Sequence, residues 1–268
     1  MKSNIVVDFA NSRPATGPQS ATELHPKALL DLPAGAARDS LLTVHTILER
    51  DLPAGKLEIY EAGGGSTSFL PLGVRKRART TVVDIDQDQI AKNDYAEVAI
   101  LGDIQTHRFK PHSFDLVTCY NVIEHLEDVQ AALVRFCECL RPGGLILIGA
   151  PNPRSLSGVV TKFTPHWFHV AFYRYVLGDE KAGLPGQAPF PTHFHPLVTL
   201  PHLLDFAREH GLEPQYVHRY ESPRFPEMRA RWPWLSTAID GVASVLNTLL
   251  MHRVDVRHGD YHVILRKT

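Results

Sequence analysis

The chain has 268 residues, 44% of them hydrophobic, with 28 Lys plus Arg against 29 Asp plus Glu and a net charge of −1. That is enough apolar material for one decorated domain with a sizeable core, and the even charge removes the global electrostatic case for a nucleic-acid partner. Three cysteines, Cys119, Cys137 and Cys139, make no disulfide framework and suit a reducing compartment. With no basic-then-apolar leader and no long uninterrupted apolar run, the expected location is cytoplasmic.

Residues 1–34 are rich in Pro, Ser, Ala and Gly, so a flexible arm is expected there, with Val6-Val7-Asp8-Phe9 able to dock. Ala37, Leu41, Val44 and Leu48 recur at helical spacing and predict a helix over 36–50. Next comes Leu57-Glu58-Ile59-Tyr60-Glu61-Ala62, alternating into an acid and followed at once by Gly63, Gly64 and Gly65. This predicts a strand ending in a tight turn whose backbone comes close to something. The basic run Arg75-Lys76-Arg77-Ala78-Arg79 falls at the opposite edge of the sheet and is expected to be a solvated face. The strand Thr80-Thr81-Val82-Val83-Asp84 ends in a carboxylate 19 positions after Gly65. In a strand–helix–strand unit an acid about 20 residues on sits beside the glycine turn and can accept hydrogen bonds from a ribose diol. A nucleoside-containing ligand is implied.

The dinucleotide pattern G-x-G-x-x-G, counted from Gly63, needs glycine at 68, where this chain has Ser68. A carboxylate at Glu61 is also a poor neighbour for a pyrophosphate, whereas it suits a ligand carrying an ammonium group and a sulfonium. Here the chain resembles the class I S-adenosylmethionine-dependent methyltransferases, in particular the type 11 and ubiquinone-biosynthesis-like small-molecule members. Their first motif is a strand ending E/D-x-G-x-G-x-G, in which Thr67 replaces the third glycine. The resemblance continues through Val98–Ile104, then Ser113–Leu126, then Arg141-Pro142-Gly143-Gly144 and Leu145–Pro153, and covers roughly 55–153. It implies an α/β fold: a Rossmann-like seven-stranded, mostly parallel sheet flanked by helices, with an antiparallel final strand and helical lid insertions.

The same resemblance implies S-adenosyl-L-methionine as cofactor and S-adenosyl-L-homocysteine as product. It places Glu61, Ala62, Gly63, Gly64 and Gly65 at the methionine part, Asp84 at the ribose hydroxyls and Ile85 beside the adenine. Asp103 and Ile104 would line the adenine edge, with Asn121 near the methionine end. The expected organisation is an arm over 1–34, a cofactor-binding core over 35–153, a substrate lid over 154–196, and the rest of the core over 197–268 with a helical insertion at 226–253.

Past Asp128, which can cap a helix, Val129, Ala132, Leu133, Phe136, Cys137 and Leu140 form a core-facing stripe. Cys137 and Cys139, two apart on that helix, point away from each other and make no metal clip. Residues 154–196 are aromatic and His-rich and leave the sheet at its ligand-binding edge, well placed for a lid. A hydroxyl acceptor must lose its proton, and His is the usual base near neutral pH. The candidates are His125, His166, His169, His193 and His195. No metal is expected, because Asn121-Val122-Ile123-Glu124-His125 lacks the first carboxylate of the E-x-x-E-H pattern in some related O-methyltransferases.

A late helix carries Leu235, Ile239, Val242, Leu246, Leu249 and Leu250 on one face, after Arg229-Ala230-Arg231-Trp232-Pro233-Trp234. Three readings apply: packing over the insert, a peripheral membrane contact through 229–253, or a homodimer contact. The expected activity is methyl transfer to a small-molecule acceptor, a hydroxyl oxygen of saccharide, lipid-linked or natural-product type. The competing readings are an N-methyltransferase and a non-catalytic cofactor-binding protein. Base-methylating enzymes are disfavoured, since neither a D/N-P-P-Y loop nor a Pro-Cys nucleophile follows the fourth strand.

Overall fold

The computed structural model describes residues 5–8, 35–155, 158, 162–184, 189, 193, 195–249 and 258–268. Eight strands form one sheet: β1 (Ile5–Asp8), β2 (Leu57–Ala62), β3 (Ala78–Asp84), β4 (Val98–Leu101), β5 (Phe114–Tyr120), β6 (Leu140–Pro151), β7 (Leu212–Tyr220) and β8 (Asp260–Lys267). Their spatial order is β1-β4-β3-β2-β5-β6-β8-β7. Strands β4, β3, β2, β5 and β6 run parallel, and β8 lies antiparallel between β6 and β7. The expected seven strands are therefore present, with the last one antiparallel.

An eighth strand is added at the edge. Residues Ile5–Asp8 of the arm pair antiparallel with Val98–Leu101, so this stretch of the expected flexible arm is a strand, as three consecutive β-branched residues favour. Phe9 and the rest of the arm lie outside the described residues.

Helix α1 (Ala36–Asp51) covers one face of the sheet. Its Leu41, Val44 and Leu48 are fully buried against Ile59, Leu116, Leu147 and Ile264, each contributing about 1.5–3 kcal/mol. Short helices α2 (Leu72–Lys76) and α3 (Gln87–Ala91) follow β2 and β3. The other face is covered by α4 (Val129–Cys139) and α6 (Leu200–Glu209), whose Phe136, Leu133, Leu203 and Phe206 pack on Val117, Ile146 and Ile148. Successive residues of a strand point to opposite faces. The unbroken run Leu145-Ile146-Leu147-Ile148 thus feeds both layers, as a strand buried on two sides requires.

Between α4 and α6 lie α5 (His166–Phe172) and a π-type turn over Tyr173–Leu177. Helices α7 (Arg224–Arg231) and α8 (Pro233–Leu249) separate β7 from β8. The two insertions meet: the Trp232 indole donates to the Val176 carbonyl at 3.2 Å, and Arg231 reaches the Leu177 carbonyl at 3.3 Å. Together they form one helical cap.

The expected apolar stripe of α8 is divided. Leu235, Ile239 and Leu246 are half-buried, but Val242 and Leu249 are exposed, and the small residues Ser236 and Ala243 face inward instead. Leu250 and 251–253 lie outside the described residues, as do Thr192 and Phe194 of the lid.

Candidate functional site

Strand order reverses between β2 and β5, which opens a crevice at the carboxyl ends of the strands. Glu61, Asp84 and Asn121 all reach that edge. After Ala62 the chain turns through Gly63 (φ +69°) and Gly65 (φ +52°), left-handed positions that favour glycine. A Cβ on Gly63 would come within 2.5 Å of the Val122 side chain, so the turn closes directly on the loop after β5. The turn is braced from behind. Asn93 Nδ2 donates to the Gly65 carbonyl at 2.6 Å, the Tyr95 hydroxyl to the Gly64 carbonyl at 3.3 Å, and Ser66 Oγ to Gln89 Oε1 at 2.7 Å.

Glu61 is only 4% exposed, and its Oε1 accepts the Ser68 hydroxyl at 2.8 Å. Burial pushes its carboxyl up to about 7, against the opposing pull of Ser68, Arg75 and Tyr95. A buried carboxylate poised between charge states is a receptor for a cation. Asp84 accepts the Gly65 N–H at 2.9 Å on Oδ2 and the Asp86 N–H at 2.8 Å on Oδ1. Burial raises its pKa while those backbone bonds hold it down. A carboxylate has about four acceptor sites, so these bonds do not exhaust its capacity. Ile85, next in the chain, is 76% exposed, an apolar shelf beside the carboxylate.

Asp103 accepts the Gln105 N–H at 2.8 Å and its side-chain amide at 3.0 Å. The Ile104 side chain is buried in the core with Phe114 and Val117. Asn121 sits at φ +55°, exposed, with its N–H donated to the Gly149 carbonyl at 2.7 Å.

On the acceptor side, the turn Ile123–His125 follows β5. His125 Nε2 lies 3.7 Å from Glu124 Oε1, and Glu124 is buried. The His193 N–H donates to the Glu124 carbonyl at 2.8 Å, which ties His193 to the turn that carries His125. His195 is occupied as a cap, its Nδ1 accepting the Leu197 N–H at 3.2 Å, so that nitrogen is not a free base. His166 is exposed at the start of α5. His169 shares hydrogen bonds with Thr164.

Sequence reasoning missed the supporting residues. Ser68, noticed only as a missing glycine, is the partner of Glu61, while Asn93, Tyr95 and Gln89 belong to no motif. Arg75 of the basic run is not simply solvated, for its guanidinium lies 4.8 Å over the Tyr95 ring. Among the described residues, no group of three His, Cys, Asp or Glu is placed to hold a metal ion. All three cysteines are buried with thiols pushed up by desolvation, which removes them as nucleophiles. A cavity of about 490 Å³ lined by Glu58, Arg79, Lys110 and Arg141 opens at the amino ends of the strands, away from this site.

Residues 60–148 match the family model described as a methyltransferase domain. The chain is 31% identical over 120 residues to a ubiquinone biosynthesis O-methyltransferase of Neisseria meningitidis, spanning 41% of this chain and 45% of that protein. The chain thus spans under half the length of that relative. Among solved structures, the cyclase SpnF superposes with a TM-score of 0.52 at 15% identity, over 91% of this chain and 87% of that one. An S-adenosylmethionine-dependent methyltransferase from Mesorhizobium loti gives 0.50 at 16% identity, over 87% and 99%. These structural likenesses speak to the fold alone. The segment that matches the methyltransferase-domain model, residues 60–148, is the one folded around this crevice.

Proposed function

We propose that the chain transfers a methyl group from S-adenosylmethionine to a hydroxyl oxygen of a small acceptor bound between the crevice and the helical cap. The observation that carries this reading is one edge holding a braced left-handed glycine turn, a buried Glu61, and Asp84 beside an exposed Ile85. These features fit the cofactor. The turn accepts close backbone approach, Glu61 matches an ammonium group, Asp84 keeps acceptor sites for two hydroxyls, and Ile85 offers an apolar face for adenine. Asp103 and the Ile104 backbone serve the adenine edge, and Asn121 the methionine end.

The cofactor supplies an electrophilic methyl on a cationic sulfur. The protein's share is to align the acceptor, exclude water and remove a proton. His125 is the base in this reading: it takes the hydroxyl proton on a ring nitrogen while the carboxylate of Glu124 favours the resulting cation. His193 is carried to the same corner by its backbone bond to Glu124.

An oxygen acceptor is supported by the name of the Neisseria relative, and an apolar or lipid-linked one by the cap. Phe163, Trp167, Trp234, Val242, Val245 and Leu249 are all exposed on it. Arg229 and Arg231 precede α8, and Arg253 follows it in the sequence. Aromatic and aliphatic side chains flanked by cations suit a lipid surface better than a homodimer contact, so 229–253 is assigned to peripheral membrane contact. No helix among the described residues is long and apolar enough to cross a membrane.

Methyl-labelled S-adenosylmethionine incubated with the protein and an extract of the source cells, then partitioned between butanol and water, tests the proposal. Label in butanol is expected. Label confined to water-soluble products would shift the acceptor to a saccharide or other polar compound. Cofactor binding with label in neither phase would favour a non-catalytic binding protein.

A further inference from the structure

A buried polar cluster lies behind the glycine turn, joining four elements of the fold. His262 of β8 is fully buried. Its Nε2 lies 2.7 Å from the Tyr120 hydroxyl and 2.8 Å from that of Tyr220, and its Nδ1 lies 2.8 Å from Ser40 Oγ on α1. Ser40 continues to His218 Nδ1 at 3.0 Å and to the Tyr216 hydroxyl at 3.2 Å. Burial, with the nearby His218 and His45, pushes the His262 pKa down to about 3, so the ring is neutral. Apolar residues would fill this space at less desolvation cost, whereas a satisfied polar cluster holds one geometry.

What that geometry holds is Tyr120, the last residue of β5. Its ring stacks on Phe69 at 4.3 Å with an interplanar angle of 20°. Phe69 is gripped a second time, because His45 Nε2 bonds its carbonyl at 2.7 Å. The residue before it is Ser68, whose hydroxyl donates to Glu61 and accepts the Leu70 N–H at 3.2 Å. Ring and backbone of Phe69 are thus fixed from β8 and α1, and the adjoining Ser68 hydroxyl is aimed at the carboxylate. Gly149 makes room for the arrangement, since a Cβ there would lie 2.7 Å from the Tyr120 ring.

We propose that His262 and His45 are positioning residues for Glu61, acting through the Tyr120–Phe69 stack and the Phe69 carbonyl to hold the Ser68–Glu61 hydrogen bond. The inference rests on the reading that Glu61 faces the cofactor's ammonium group. In this reading both histidines act through protein partners, His262 through Tyr120 and His45 through the Phe69 carbonyl.

The test is calorimetric titration with S-adenosylhomocysteine in phosphate and in Tris across pH 5.5–8, which yields affinity and the midpoint of proton release. Ser68→Ala removes a bond that favours the charged carboxylate, so its midpoint should rise and its affinity fall. Tyr120→Phe keeps the ring and loses the hydroxyl. His262→Asn retains a partner only at the Ser40 side, whereas His262→Gln can still reach the tyrosines. The expected result is that Tyr120→Phe and His262→Asn lose about tenfold in affinity and shift the midpoint in the Ser68→Ala direction. Adding either to Ser68→Ala should shift it no further, and His262→Gln should restore most of the wild-type behaviour. Variants that keep wild-type affinity and midpoint would overturn the inference. So would variants that lose affinity with the midpoint unmoved, the mark of a merely structural role. A wild-type protein that fails to bind the probe would instead overturn the cofactor reading itself.

Discussion

Replacing Glu61 by Gln should make the protein more stable and less able to bind its cofactor. The carboxyl is raised from 4.5 to about 7, chiefly by burial. At 1.36 kcal/mol per unit, holding it charged in the free protein costs about 3 kcal/mol. The sign follows from linkage. Between pH 4.5 and 7 the unfolded chain has released this proton and the folded chain has not. The folded state's relative stability is therefore fully present below 4.5 and is lost as pH rises through 7. Glu61→Gln removes the titration. Urea denaturation should give similar stabilities for wild type and variant near pH 4.5. The gap should then open by about 1.4 kcal/mol per pH unit and level off above pH 7 in favour of the variant, at roughly 3 kcal/mol less any weakening of the Ser68 bond. Calorimetry at pH 8 should show the opposite ranking for S-adenosylmethionine, because the amide offers no charge to an ammonium group. Denaturation curves whose difference is the same at pH 5 and pH 8 would refute the reasoning.

Asp84→Ala should weaken cofactor binding at least tenfold, since a charge-assisted hydroxyl contact contributes roughly 1.5–3 kcal/mol; the variant also frees the Gly65 N–H. Unchanged affinity by calorimetry would mean that the turn is misassigned. His125→Ala should cut methyl transfer by a factor of about 100 or more while leaving S-adenosylhomocysteine affinity intact. Equal losses in both would place His125 in the fold of the loop instead of at the acceptor. Val242→Asp with Leu249→Asp should abolish cosedimentation with anionic phospholipid vesicles and leave the circular dichroism spectrum unchanged. Vesicle binding that survives the pair would return the exposed face of α8 to a protein contact.

The strand ends and glycine turn were legible because local rules govern them: Glu61, Gly63–Gly65 and Asp84 are set by alternation, left-handed turns and the length of one strand–helix–strand unit. What escaped was long-range or depends on which side a residue faces. Tyr120 and His262 are 142 positions apart, and no period links them. His195 has the composition of a catalytic residue and the local geometry of a cap. Histidine types alone could not separate it from His125, whose neighbour is a buried carboxylate.

Helix α8 shows the same limit more sharply. Only Asp240 is charged between Trp232 and Met251, so apolar residues occupy nearly every direction around the axis and periodicity cannot say which stripe is the core. The inward side is decided by close approach: Ser236 and Ala243 are small enough to let the helix lie down. Trp234, Val242, Val245 and Leu249, at offsets of 8, 11 and 15 from Trp234, are then left along the outer face. Leu249 is 72% exposed. Asp240, held near Arg229 at 3.8 Å, lies on the opposite side of the helix, toward Ser236 and Ala243, and so does not interrupt that face. A helix apolar on both sides must cover its second face with something. In the proposed reading that face, on the same cap as Trp167 and Phe163 and with arginines at the chain positions before and after it, meets the boundary between lipid headgroups and acyl chains. An acceptor drawn from the same boundary would then reach the crevice from beneath the cap without crossing water.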